Sequence, residues 1–97
     1  MTPEGRFKRR IKKRIREYLP GCFMHEMKAG KQGIPDTLII FRKRWALLEF
    51  KESESARHRP NQDYYVNLFN NLGFSRFIYP ENEIEVMNDL IKYMKEE

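Results

Sequence analysis

The fold turns on residues 33–51, Gly33-Ile34-Pro35-Asp36-Thr37-Leu38-Ile39-Ile40-Phe41-Arg42-Lys43-Arg44-Trp45-Ala46-Leu47-Leu48-Glu49-Phe50-Lys51. Thr37 to Phe41 is a continuous apolar, β-branched run, the pattern of a fully buried strand. Arg42-Lys43-Arg44 makes a turn, and Trp45 to Lys51 returns as the second strand of a hairpin. Strand side chains alternate, so Trp45, Leu47, Glu49 and Lys51 share one face, and Ala46, Leu48 and Phe50 the other. Glu49 therefore projects from a strand built for a core, where a carboxylate is costly unless paired or bound to a metal. Pro35 holds Ile34 extended, Gly33 permits a close approach, and the hairpin brings Asp36 near Glu49. Two carboxylates held together raise each other's pKa unless a cation lies between them. Mg²⁺, which takes hard oxygen ligands and keeps waters, is the fitting ion, with Mn²⁺ as its substitute. Lys51 adds a fixed positive charge where phosphate charge develops. These parts together describe metal-assisted phosphodiester hydrolysis. Glu-x-Lys alone is equally an edge-of-sheet ion pair; Pro-Asp at the start of the partner strand favours chemistry.

Outward from the hairpin, both flanks carry further elements. Upstream, Thr2 is an N-cap with Pro3 at the first helical position and Glu4 in the first turn. Phe7, Ile11, Ile15, Tyr18 and Leu19 recur at helical spacing until Pro20-Gly21 stops the run. Cys22 to Met27 is a short strand, and Lys28 to Gly33 a Gly-containing loop. Downstream, Glu52 to Arg59 is polar, and Pro60 opens a helix ending near Gly73, with Val66, Phe69 and Leu72 on its buried face. Phe74 to Tyr79 is a fourth strand, broken by Pro80. Ile84, Met87, Leu90, Ile91 and Met94 mark a last amphipathic helix. The order α-β-β-β-α-β-α is that of a single α/β domain, residues 1–97, on one mixed sheet.

Charge is unevenly placed along the 97 residues. Lys and Arg outnumber Asp and Glu by 19 to 14, a net charge of +5. Between residues 6 and 16 stand Arg6, Lys8, Arg9, Arg10, Lys12, Lys13, Arg14 and Arg16, whereas the stretch from Glu81 to Glu97 is mostly acidic. This asymmetry points to a polyanionic partner, most simply nucleic acid. A solvated helix face or a basic helix on an anionic membrane explains the first segment alone. No apolar run approaches the ~20 residues that span a bilayer, and no secretory h-region is present, so no membrane partner is expected. The single Cys22 forms no internal disulfide, which fits a reducing, cytoplasmic compartment. Neither His25 and His58 nor Cys22 has metal-ligand spacing or a recognisable base partner, and Ser53 and Ser55 lack a nucleophile context. Tyr64 and Tyr65 read as cover for the helix–sheet seam.

Pro35-Asp36 followed by Glu49-Phe50-Lys51 resembles the PD-(D/E)XK nuclease motif. With Thr2-Pro3-Glu4-Gly5, Gly33-Ile34-Pro35-Asp36 and Gln62, the whole chain is similar to the VRR-NUC family, especially its small stand-alone phage members. The resemblance implies a restriction-endonuclease-like fold and a Mg²⁺-dependent DNA endonuclease. It implies Asp36, Glu49 and the Phe50 carbonyl as metal ligands, Lys51 as the group that positions or polarises water, and Gln62 as a residue orienting the site. It also implies Glu4 as the first-helix acid, and its helical phase agrees, since Glu4, Phe7, Ile11 and Ile15 share one face while Glu17 lies off it. Glu4 as a helix-dipole partner and Gln62 as an ordinary early-turn residue remain open. Val66 stands where the Gln-x-x-x-Tyr motif of RecB-like relatives has Tyr. Lys8, Arg9, Lys12, Lys13, Arg16, Lys28, Lys31, Arg57 and Arg59 are expected to hold the phosphate backbone without reading sequence. A homodimer is expected by analogy, and its two-fold axis suits a branched substrate such as a Holliday junction. The competing class is a basic DNA-binding module with a vestigial motif. In a host cell, a phage-encoded member would act in the cytoplasm.

Overall fold

The computed structural model describes residues 1–28 and 31–96; of the Lys28–Gly33 loop, Ala29 and Gly30 lie outside the described residues. Helix α1 spans Pro3–Tyr18, capped as the sequence implies: the Thr2 hydroxyl accepts the Gly5 N–H at 3.0 Å. Strands β1 (Phe23–Glu26), β2 (Thr37–Phe41) and β3 (Arg44–Phe50) form an antiparallel meander. Helix α2 (Gln62–Leu72) then crosses over to β4 (Ser75–Ile78), which pairs parallel with β3. A 3₁₀ turn at Pro80–Asn82 leads into α3 (Glu83–Lys95). The sheet order is β1-β2-β3-β4, so the expected mixed sheet and element order both hold.

The alternation along β3 sorts the molecule into layers. Ala46, Leu48 and Phe50 face Phe7, Ile11 and Ile15 of α1 and Val86, Met87, Leu90 and Met94 of α3, and all are buried. Phe7 meets Phe50 edge-on at 6.0 Å, a geometry worth about 0.5–1.5 kcal/mol beyond the area it buries. The opposite face carries Trp45, Leu47 and Glu49 toward α2, where Trp45 meets Phe69 edge-on. Gly73 ends α2 directly over this ring: a Cβ there would lie 2.6 Å from Trp45, so no larger residue fits.

Several inward positions differ from those the periodicity implies. Leu72 and Ile84 are exposed, at 66% and 74%, and Tyr18 and Tyr64 are exposed too. Gln62 joins the expected Val66 inside on α2, and Glu83 and Val86 turn inward on α3. Glu83 is drawn in because Arg10 and Arg14 of α1 reach it at 2.7 and 2.6 Å. Asn61, in the left-handed region at φ 70°, breaks the chain after Pro60, and α2 begins at Gln62 instead. Of the tyrosine pair, Tyr65 covers the seam by stacking on Phe69, whereas Tyr64 does not.

Candidate active site

Asp36, Glu49 and Lys51 meet at one end of the sheet because of its register. Thr37 pairs with Leu48, so Asp36, one residue before β2, falls beside Glu49, one residue before the end of β3. The Asp36 backbone N–H lies near enough to the Glu49 carboxylate to favour its charged form. Lys51 follows directly, its backbone N–H donating to Ile78 of β4 at 3.0 Å. These side chains open into a cavity of about 760 Å³ whose walls include Glu4, Asp36, Glu49, Lys51, Arg59 and Gln62. The segment Lys31–Asp36 forms one wall. Gly33, at φ +97°, lies so close to Asn61 that a Cβ would sit 2.7 Å from its backbone, seating this wall against the head of α2.

The electrostatics are those of an acid held against its preference. Glu49 is 7% exposed, and its carboxyl is pushed up to about 7, first by burial and then by the Asp36 charge, with a smaller push from Glu4. Lys51 and the Asp36 N–H oppose that rise without cancelling it. Lys51 is itself buried, and its ammonium donates to the Arg57 carbonyl at 3.1 Å. Gln62 is buried and its Oε1 accepts the Arg59 N–H at 2.8 Å, so it ties the loop before α2 to the first turn of that helix.

Asp36 has a second set of partners that the sequence reading did not anticipate. Its Oδ1 accepts the Thr37 hydroxyl at 2.8 Å, and its Oδ2 lies 3.1 Å from the ammonium of Lys8. Lys8 also bonds Glu26 of β1 at 2.7 Å, and Lys12 bonds the other oxygen of Glu26. Burial alone would raise the Glu26 carboxyl, but Lys12 and Lys8 together hold it below the ordinary range. Burial likewise opposes the charged Lys8, yet Glu26 and Asp36 hold its pKa above normal. Lys8 and Lys12, expected on the phosphate-gripping face, are therefore turned toward the carboxylates at the sheet end. The signal for Glu26 was weak: two lysines four apart flank the apolar stripe of α1, but nothing local names their partner.

The other expected cationic positions stay outside. Arg9, Lys13, Arg16, Lys28, Lys31, Arg57 and Arg59 are exposed. Glu4 is exposed on the cavity rim and Glu17 is exposed away from the cavity, as their helical phase implies.

Among the described residues, no three His, Cys, Asp or Glu side chains converge as a metal cluster. The donor chemistry still suits a hard divalent cation, because Mg²⁺ is commonly held by one or two carboxylates, with water or phosphate filling the remaining positions.

The structure thus places two strand-end acids beside a buried lysine, on a mixed sheet flanked by helices. A solved structure described as a VRR_NUC domain matches 96% of this chain and 98% of its own, with a TM-score of 0.70 and 26% identity. The resemblance to the VRR-NUC family carried by the motifs thus holds for the whole fold. No family model and no curated protein matches the chain. No helix among the described residues is long and apolar enough to cross a membrane.

Proposed function

We propose that this chain is a Mg²⁺-dependent DNA endonuclease. The observation that carries the reading is Glu49, a buried carboxylate beside Asp36 that, among the described residues, no arginine or lysine ion-pairs, so that burial and the Asp36 charge push it upward. A divalent cation beside the two acids would favour their charged forms and relieve that upward push. Asp36, Glu49 and the Phe50 carbonyl would hold the ion, and Mn²⁺ would substitute for Mg²⁺. Bound there, the ion would supply Lewis-acid activation and charge neutralisation at phosphate.

The chain's own groups do the rest. Lys51, buried at the cavity wall, orients water toward the phosphorus and offsets charge as the new P–O bond forms and an ester P–O bond breaks. Gln62 fixes the loop that carries the Lys51 acceptor. Glu4, on the cavity rim, would hold a water at the site or complete a second ion position. Arg9, Lys13 and Arg16, with Lys28, Lys31, Arg57 and Arg59, bind phosphate around the cavity and read no bases.

A homodimer acting on branched DNA such as a Holliday junction extends this reading. The α2-side face of the sheet leaves Phe23 and Ile40, register partners on β1 and β2, exposed at 56% and 40%. A second copy related by a two-fold axis would cover this patch and present two cavities to a two-fold substrate. A cytoplasmic location accords with the lone free Cys22.

The test is a cleavage assay with Mg²⁺, Mn²⁺ or chelator on linear, nicked, flapped and four-way DNA, using the wild type and Lys51→Ala. Metal-dependent product, lost in Lys51→Ala while DNA affinity holds, supports the reading. Metal-independent binding with no product on any substrate assigns the chain to the binding-module class. Neutralising Arg9, Lys13 and Arg16 should flatten the plot of log affinity against log salt by about 0.9 per lost duplex phosphate contact.

A further inference from the structure

Lys51 owes its placement to a neighbour that has no side chain in the chemistry. Its ammonium donates to the carbonyl of Arg57, in a stretch outside any helix or strand. Such a polar loop is ordinarily mobile and a poor anchor for a buried ammonium. Here it is pegged at His58, the residue after Arg57. The His58 ring lies flat on Phe77, with centroids 4.1 Å apart and planes 17° from parallel. Its Nδ1 is 2.9 Å from Oδ1 of Asp63 in the first turn of α2. Phe77 in turn is the register partner of Glu49 on β4. One imidazole therefore locks the loop against both the strand beside Glu49 and the helix that carries Gln62.

We infer that His58 is a positioning residue for the active site: it fixes the Arg57 carbonyl and so sets the Lys51 ammonium relative to Glu49 and Asp36. The flat aromatic contact with Phe77 does this, and the Asp63 bond sets the ring's rotation. The inference rests on Lys51 serving the reaction as proposed above.

The experiment compares the full-length wild type with His58→Ala, His58→Phe, His58→Gln and Lys51→Ala. Steady-state cleavage at saturating Mg²⁺ is one readout. The second is the NMR signal of the Lys51 side-chain ammonium and its adjoining CH₂ in the metal-free protein. His58→Ala should lower kcat about 10- to 100-fold with KM nearly unchanged, the scale of a misplaced group about 1 Å out of position. His58→Phe, which restores the flat ring, should recover most of kcat. His58→Gln, which keeps a polar partner for Asp63 without the ring, should behave as His58→Ala does, and it replaces that variant if it fails to fold. The Lys51 signal should move in His58→Ala and His58→Gln and return in His58→Phe. A merely structural role would lower Tm and leave both kcat of the folded enzyme and the Lys51 signal unmoved, overturning the inference. If Lys51→Ala retains activity, the nuclease role of Lys51 falls, and the Lys51 signal alone still decides whether His58 places it.

Discussion

Two buried glutamates occupy opposite electrostatic situations in this small domain. Glu83, at the start of α3, is 9% exposed and sits between the guanidiniums of Arg10 and Arg14, which satisfy it from α1. Glu49 is equally buried but lies against Asp36, with Glu4 also pushing its pKa upward and Lys51 only partly compensating. Burial of an acid is common to both, so burial does not mark the site. The difference lies in the partner. A carboxylate given arginines fastens two helices, whereas a carboxylate given another carboxylate is held against its own charge.

The largest contrast should appear in turnover. Asp36→Ala or Glu49→Ala is expected to remove detectable cleavage and to weaken Mg²⁺ binding measured by calorimetry, since each deletes a hard anionic ligand. Glu83→Gln, measured under the same conditions, should keep kcat within about threefold of wild type, an effect under about 1 kcal/mol. Comparable losses in both would erase the distinction between fastening and functional acids.

Stability against pH separates them next. The folded pKa of Glu49 near 7 stands above its ordinary 4.5, so the protonated form favours folding. That contribution is complete below about 4.5 and is lost as pH rises through about 7. Glu49→Gln, which stays neutral, should therefore gain stability over the metal-free wild type above pH 7, by at most about 3 kcal/mol. The gain should vanish at pH 4 in denaturant titrations. A constant difference across the pH range would mean that Glu49 is not held protonated by its surroundings.

Glu83→Gln should cost about 1–2 kcal/mol of folding stability. Breaking a fully buried ion pair costs about 3–5 kcal/mol, but both guanidiniums here remain in contact with water. An unchanged Tm would show that the α1–α3 bridge contributes little.

The smallest effect distinguishes the two acids of α1. Glu4→Gln should lower kcat about tenfold, or about 1.4 kcal/mol, while Glu17→Gln leaves it unchanged. The reverse ranking would mean that α1 is rotated against the sheet.

How much of this was legible depends on where each constraint originates. The hairpin, the Thr2 cap and the Phe7-Ile11-Ile15 stripe follow from spacing within one element, and the sequence reading matches them. Asp36 beside Glu49 was legible because two strands and one turn set the register. Leu72 and Ile84 were misplaced because α2 and α3 each have two plausible apolar faces. The choice between them is made elsewhere: Arg10 and Arg14, some 70 residues away, draw Glu83 inward, and the loop before α2 draws Gln62. Lys8 and Lys12 looked like any other basic residues of α1, since their partner Glu26 lies on a separate strand. The loop contact that holds Lys51 was also out of reach, because a backbone carbonyl carries no sequence signature.

The bridge between Arg10 and Glu83 spans 73 residues of chain. Strands β2 and β3 are joined by a two-residue turn, β1 lies ten residues before β2, and β4 joins after one helix, so most of the sheet assembles from nearby sequence. Loop-closure entropy delays contacts between distant residues. The basic helix α1 therefore finds its acidic anchor only when α3, some 70 residues further along, is available. Until α3 docks, α1 lacks both its Glu83 bridge and the apolar partners Val86, Met87 and Leu90. Folding should thus end with the docking of α1 against α3, and the cavity rim set by Glu4 should be complete only at that last step.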